Sequence, residues 1–316
     1  MDREYLRLLA VLGAIAMLGT GPVVAIAVEV DPLLPQATPA YPSGLLERLR
    51  TAATAVPGEL PTALRYVTVA ESRRPERLVL AGGSDEVYVQ ARTAFQLEYP
   101  QATIMIDSGM DEDVHRGFST GTPEPYWPER NAAVQQALLA ASLVVLTHEH
   151  GDHIAGVVRS PNRVAIAAHT VLTKDQLETL VLAPQSTEIR LLPEQAADYL
   201  VIDYALIYPA APGVVLLKSP GHTPGHQMVY LRLQSGRELL LSGDVSWAMD
   251  GILEQRQRPE GTSDRIREDR AALALQLEWL RSVVDDGSVI VIPSHDADYL
   301  AELERRGVIT QGLLTD

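Results

Sequence analysis

The sequence predicts a layered α+β fold, and three kinds of observation predict it. Short runs that alternate in the strand manner are parted by Gly, Pro and Asp turns. A few longer stretches carry an apolar stripe at helical spacing. A cluster of histidines follows directly on a buried-type strand, where layered folds place their ligand-binding loops. The composition supports a sizeable core, with 46% hydrophobic and 21% charged residues. Aromatics make up only 5%, so that core is mostly aliphatic and alanine-rich.

The elements follow in order. Residues 8–18 form a compact apolar block after Arg3 and Arg7, and Gly19-Thr20-Gly21-Pro22 breaks any helix there. Ala25-Ile26-Ala27 is an A-x-A arrangement of the kind signal peptidase cuts. Residues 1–27 are read as a secretory signal cleaved after Ala27. The competing reading is an uncleaved membrane anchor over residues 6–28, because ~20 apolar residues span a bilayer. Either way the catalytic part is exported, to the periplasm or beyond. Residues 28–60 are expected to be a linker and a short helix. Four prolines at 31–42 keep the chain extended, and Ser43 is placed as the cap of a helix to about Ala55. Residues 61–316 form the main domain.

That domain opens with strands at residues 65–69, 86–90 and 94–99, then a buried run at 103–106 that ends in the turn Asp107-Ser108-Gly109. Such turn-linked runs predict an antiparallel start to a sheet. Residues 110–128 are polar and rich in Gly and Pro, and read as a long loop. A helix is expected at 129–141 and a buried strand at 142–147, which delivers His148 at its carboxyl end. Further strands are expected at 164–168, 214–218, 228–233, 238–241 and 289–292. One helix is predicted over 264–284, capped by Ser263, with Leu273, Leu277, Leu280 and Val284 as its apolar stripe.

Charge and cysteine count exclude whole classes. A net charge of −15 repels nucleic-acid phosphates, and the basic residues form only short pairs such as Arg73-Arg74 and Arg305-Arg306. A nucleic-acid partner is therefore not expected, and the substrate is taken to be a small molecule. With no cysteine, every metal ligand must be nitrogen or oxygen.

The chemistry concentrates in His148-Glu149-His150-Gly151-Asp152-His153, then His222, Asp244 and His295. In an extended segment, side chains two apart share a side, so His148 and His150 can reach one ion. Gly151 lets the chain turn so that Asp152 and His153 can face a second. Imidazole and carboxylate are the ligands of zinc-like divalent ions. Two such ions close together generate a hydroxide and polarise a carbonyl at neutral pH.

The run His148-Glu149-His150-Gly151-Asp152-His153 resembles the H-x-H-x-D-H motif of the metallo-β-lactamase-fold superfamily. The later motifs are Pro220-Gly221-His222-Thr223-Pro224-Gly225-His226, Ser242-Gly243-Asp244 and Pro293-Ser294-His295-Asp296; they fall in that family's order, and Asp107-Ser108-Gly109 resembles its early turn. The resemblance implies a four-layer αβ/βα sandwich of two mixed β-sheets flanked by helices. It places His148, His150 and His222 at a first ion, Asp152, His153 and His295 at a second, and Asp244 between them. The ions would be zinc, with manganese or iron as alternatives. Asp152 and Asp244 are the implied catalytic residues, Asp152 passing a proton to the leaving oxygen of a lactone or ester. Glu149 and Asp296 are expected to orient histidines, His226 to be structural, and His115 and His169 to have no part in the site.

Details prune the family. Intact His150 argues against the flavodiiron branch, and the lack of cysteine against two antibiotic-hydrolysing branches. The motifs look most like the lactonase and glyoxalase-II-like branches. Lactonases of this kind commonly carry a tyrosine three residues after the bridging aspartate, where this chain has Trp247, read instead as a pocket wall. The polar stretch at 250–263 is a candidate lid. The alternatives kept open are a glyoxalase-II-like thioesterase, a mononuclear iron enzyme of the persulfide type, and a non-enzymatic exported metal-binding protein.

Overall fold

Alternation along the strands sorts most of the apolar side chains into three large cores, and these cores define the layers. The computed structural model describes residues 41–119 and 121–315. The expected export segment and nearly all of the Pro-rich linker lie outside them. Among the described residues, no helix is long and apolar enough to cross a membrane.

The first sheet holds β1 (Ala63–Pro75), β2 (Val87–Glu98), β3 (Thr103–Ile106), β4 (Leu143–Val145), β5 (Thr170–Thr173) and β6 (Leu200–Ile202). The second holds β7 (Ile207–Ala211), β8 (Val214–Lys218), β9 (Gln227–Arg232), β10 (Glu238–Gly243) and β11 (Val289–Pro293); β12 (Thr310–Gln311) returns to the edge of the first. Both sheets are mixed. β1, β2 and β3 are antiparallel, as expected, while β3 to β6 run parallel. β7 to β10 are antiparallel and β11 joins β10 in parallel.

On β8, Val214 and Leu216 face the core between the sheets, where they meet Leu64, Phe95 and Ile106 of the other sheet. Val215 and Leu217 point the opposite way, into the core under the helices. This is the period-two geometry of a strand buried on both faces. The outer face of the first sheet is covered by α2 (Glu112–Phe118), α3 (Pro128–Ala140), α4 (Gly151–Val158), α5 (Arg163–Ala167) and α6 (Lys174–Leu182). The outer face of the second is covered by α1 (Leu45–Ala52), α7 (Met249–Leu253) and α9 (Arg270–Asp286), with α8 (Glu260–Ile266) before α9 and α10 (Ala297–Arg305) near the end. Helix, sheet, sheet, helix is the four-layer sandwich the resemblance implied.

Several local expectations are corrected. The runs at 86–90 and 94–99 are one strand, β2, whose buried middle breaks the alternation because both faces are covered. The loop at 110–128 contains α2, capped by Asp111, whose side chain accepts from the amides of Asp113 and Val114. The run at 164–168 is the helix α5, and the strand comes just after it; periodicity alone does not separate short apolar helices from strands. The single helix at 264–284 is two, α8 and α9, because Arg267 turns left-handed at φ 60° and Asp269 caps the second. Ser263 lies inside α8, and Gly44 rather than Ser43 precedes α1. That first helix, expected outside the main domain, seats Leu45 and Leu49 in the third core.

Two close contacts position the site. The amide of Gln227 on β9 donates to the carbonyl of Thr147, just past β4, at 2.8 Å, so the two sheets are joined beside His148. Helix α4 lies against the Asp107-Ser108-Gly109 turn so tightly that a Cβ on Gly156 would sit 2.1 Å from the carbonyl oxygen of Ser108. In an open helix, alanine is better than glycine by ~1 kcal/mol. Here Gly156→Ala is expected to lower unfolding stability by about 1–3 kcal/mol through overpacking, read by urea denaturation. Unchanged or raised stability would contradict the close packing.

Candidate metal centre

Strand ends of both sheets deliver the ligands. His148 follows β4 in the first sheet, and His150 precedes the first turn of α4, which holds Asp152 and His153. His222 lies in the turn between β8 and β9, Asp244 follows β10, and His295 follows β11. Two glycines allow the close approach. Gly221 has φ 157° beside His222, and Gly243 has φ 56° with its α-carbon packed on His226, where an added Cβ would meet Nε2 at 2.4 Å.

All seven expected ligands converge. Three groups among the described residues place donor atoms within 4.8 Å of one another: His148, His150 and His222; Asp152, His153 and His295; and His148, His153 and Asp244. The first two are the two sets that the motifs implied. Asp244 lies between them, with Oδ2 3.2 Å from His222 Nε2 and Oδ1 3.2 Å from His295 Nε2. His150 Nδ1 and His222 Nε2 are 2.9 Å apart.

Most of the imidazoles are anchored by their far nitrogen. His153 Nδ1 bonds Asp107 Oδ2 at 2.8 Å, and His295 Nδ1 bonds the carbonyl of Ala91 at 2.7 Å. His222 Nδ1 bonds Glu268 Oε1 at 2.6 Å, and His148 Nδ1 lies 3.1 Å from Thr147 Oγ1. Each leaves Nε2 facing the centre. Such anchoring fixes ring orientation and raises ligand basicity. His150 turns Nδ1 inward instead.

The electrostatics are those of a cation site. His148 Nε2 and Asp244 Oδ1 are buried without a hydrogen-bond partner. Leaving a buried polar atom unpaired costs about 1–3 kcal/mol. Burial and the neighbouring imidazoles hold His150 down at about 3 and keep His148 well below the usual imidazole range. Burial also acts to lower His153, but the carboxylates of Asp152, Asp107 and Asp244 outweigh it and raise its pKa to about 9. Burial would raise Asp244, yet the surrounding histidines hold it well below the usual carboxylate range. Donors aimed at common points, with two of them unpaired, fit divalent ions.

Several residues differ from expectation. Glu149 accepts from Thr223 Oγ1 at 2.8 Å and from the amide of Gly225 at 3.1 Å, so it braces the turn of His222 and orients no imidazole. Asp296 caps α10 and accepts from the amides of Tyr299 and Met249, again not from a histidine. Both acids sit beside ligands, but a hydroxyl and backbone amides take their oxygens. His226 is structural, with Nδ1 on Ser219 and Nε2 accepting from the amide of Asp244 at 2.9 Å. His115 stacks on Tyr126, and His169 bonds the carbonyl of Leu138.

Sequence reasoning missed Arg92, Arg258 and Glu268. Arg92, buried on β2, pairs with Asp152 Oδ2. Arg258 pairs with Glu268 and donates to the carbonyl of Asp244 at 2.9 Å. A charged residue amid a buried strand was the available signal for Arg92. Trp247 donates its indole N–H to Asp244 Oδ2 at 2.7 Å and also lines the cavity above the site. That cavity measures about 600 Å³, with His150, Asp152, His222 and Asp244 among its lining and Leu78, Val114, Phe118 and Ile266 as apolar walls.

Known proteins resemble this chain in sequence and in fold. The pattern of the metallo-beta-lactamase superfamily matches residues 90–295. An N-acyl homoserine lactonase AttM of Azorhizobium caulinodans is 27% identical over 65% of this chain and 81% of its own length. An N-acyl homoserine lactonase of a Bacillus species is 25% identical over 65% and 80%. Among solved structures, an N-acyl homoserine lactone hydrolase with N-hexanoyl-L-homoserine at its catalytic metal centre superposes at a TM-score of 0.61, with 20% identity over 77% of this chain and 96% of that one. AidC, a dizinc quorum-quenching lactonase, superposes at 0.51 with 15% identity over 73% and 86%.

Two predictions follow from the anchoring and the charges. Asp107→Asn keeps the left-handed backbone at φ 59° but removes the charge behind His153, and should weaken metal binding about 10- to 100-fold in competition with a chelator. Binding unchanged would contradict the role of Asp107. In the metal-free protein, the raised pKa of His153 contributes stability that is full below its ordinary 6.5 and lost as pH rises through about 9. Thermal unfolding of metal-stripped protein should therefore move to lower temperature between these pH values. A constant midpoint across that window would contradict the assignment.

Proposed function

Because this chain belongs to the metallo-beta-lactamase superfamily, we propose that it is a metal-dependent hydrolase that opens the ester bond of a lactone or a related ester. The observation that carries the reading is the pair of ligand sets sharing Asp244 at the floor of a cavity sized for a small molecule. The orphaned atoms His148 Nε2 and Asp244 Oδ1 fit an ion at each set. His148, His150 and His222 would hold one, and Asp152, His153 and His295 the other, with zinc the ion proposed and manganese or iron the alternatives. When bound, such ions make water acidic at neutral pH and polarise a carbonyl.

The chain's own groups then do the following. The apolar wall of Phe118, Leu78 and Ile266 takes the acyl part of the substrate and excludes water from the carbonyl. Asp152 takes one proton of the attacking water at its carboxylate and gives it to the ring oxygen as the C–O bond breaks, leaving an alcohol and a carboxylic acid that then loses its remaining proton to solvent. Arg92, bonded to Asp152 Oδ2, holds that carboxylate in place and keeps it ionised before the attack. Asp244 is held at its carboxylate by the indole of Trp247 and at its amide by His226 Nε2, which accepts from it. The one N–H of Trp247 is committed to Asp244, so it polarises no substrate carbonyl in this arrangement.

His150→Ala opens the first ligand set and should lower kcat/KM for a lactone by at least about a thousandfold; full turnover would contradict the reading. A panel of lactones, thioesters, phosphodiesters and β-lactams tests the substrate class, with the lactone expected fastest and a faster thioester pointing to the glyoxalase-II-like alternative. We also propose that the apolar N-terminal stretch exports the enzyme. Sequencing the N-terminus of protein recovered from the cell envelope checks this: a start at Val28 supports cleavage, and an intact Met1 on cytosolic protein contradicts export.

A further inference from the structure

The stretch from Trp247 to Glu268 is built into the metal centre rather than merely laid over it. Glu268 Oε1 lies 2.6 Å from His222 Nδ1, and its carboxylate is only 1% exposed. Ser263 Oγ on α8 donates to its other oxygen at 2.5 Å. Arg258, 3% exposed at the side chain, pairs with the same carboxylate. The guanidinium of Arg258 also reaches the carbonyl of Asp244 and lies over the Trp247 ring at 4.8 Å. Trp247 in turn bonds Asp244 Oδ2. The amide of Asp269, next after Glu268, donates to the carbonyl of Gly221 beside His222 at 2.8 Å. Two ligands from different turns, His222 and Asp244, are thus tied to one segment. That segment carries Thr262, Arg265, Ile266 and Arg267, which line the cavity.

A buried charge pair is strongly destabilising to break from one side, because the remaining charge is left uncompensated. An imidazole whose Nδ1–H is held by a carboxylate keeps Nε2 as its free donor. Binding linkage is reciprocal: if the placed segment tightens the metal site, the bound metal must hold the segment in place by the same factor.

We infer that Glu268 is a positioning residue of the metal centre, and that through its bonds to His222, Arg258 and Ser263 the α8 wall of the substrate cavity is held in place by metal loading. The ligand sets and the substrate wall are one cooperative unit, closed by a carboxylate outside the ligand motifs. This inference rests on the metal reading of the site.

The experiment uses the full chain, stripped of metal and reloaded with zinc alone. Glu268→Gln keeps the shape of the side chain but leaves Arg258 without its counter-ion. Zinc affinity by chelator competition is expected to fall about 10- to 100-fold. Trypsin supplies the second readout, since Arg265 and Arg267 are exposed on α8 and just after it. Zinc should slow cleavage there in the unaltered protein and protect the Glu268→Gln protein far less at the same total zinc. If circular dichroism shows that Glu268→Gln is not folded, Ser263→Ala removes one bond to the carboxylate and should shift both readouts in the same direction by a smaller amount. A purely structural role would lower the melting temperature of the metal-free protein and leave zinc affinity within twofold, which overturns the inference. Zinc that binds but leaves cleavage at Arg265 and Arg267 unchanged overturns it too. Unaltered protein that binds no ion at all contradicts the metal reading itself, so the two failures are distinct.

Discussion

The carboxylate of Asp244 is the point on which the site depends. It lies 3.2 Å from His222 and His295, 3.5 Å from His153 and 3.8 Å from His148, so ligands of both sets aim at one buried group. Its charge is what makes the crowding of imidazoles tolerable, since like groups packed this closely otherwise repel or lose their protons. Its own geometry is held from three sides. Trp247 bonds Oδ2, His226 accepts from its amide, and Arg258 takes its carbonyl. A cation would complete such an arrangement, since His148 Nε2 and Asp244 Oδ1 are buried without a hydrogen bond.

The fold serves this convergence. One sheet supplies the His148-to-His153 run, and the other supplies His222, Asp244 and His295. The ligands meet only if the two sheets keep their relative placement. The shared apolar core between them and the bond from Gln227 to Thr147 do that beside the site. Gln176 adds a third link, its amide donating to the carbonyls of Leu146 and Gly225 at 3.0 Å each. The core of this protein and its chemistry are therefore not separable: a shift of one sheet against the other moves three ligands against the other four.

The ligands were legible in the sequence because their chemistry is local. Three histidines and an aspartate in six residues answer to no core pattern, and the His222 and Asp244 motifs each carry their own glycine turn. The layers were legible for a similar reason, since strands such as β8 and β9 are short, bounded and apolar. What escaped depended on contacts far apart in the chain. Glu268 reaches His222 across two intervening strands and two helices, and Arg92 meets Asp152 of α4 from strand β2. Nothing near Glu268 marks it, and Arg92 is marked only as a charge within a buried strand. Glu149 and Asp296 were misread for the opposite reason: adjacency to a ligand suggested a role, but nearer amides claimed their oxygens. The break between α8 and α9 was hidden because Arg267 adopts a left-handed turn that its residue type does not advertise.

Trp247 shows how the centre and its substrate wall are shared. Its N–H serves Asp244 while its ring forms part of the cavity, so one side chain sets both the bridging carboxylate and the shape above it. The central claim is that two ions sit in two ligand sets joined by Asp244. The most direct test is anomalous scattering at the zinc edge from crystals of zinc-loaded protein. The account predicts two peaks, one among His148, His150 and His222 and one among Asp152, His153 and His295, with Asp244 between them. A single peak, or none at saturating zinc, would contradict it.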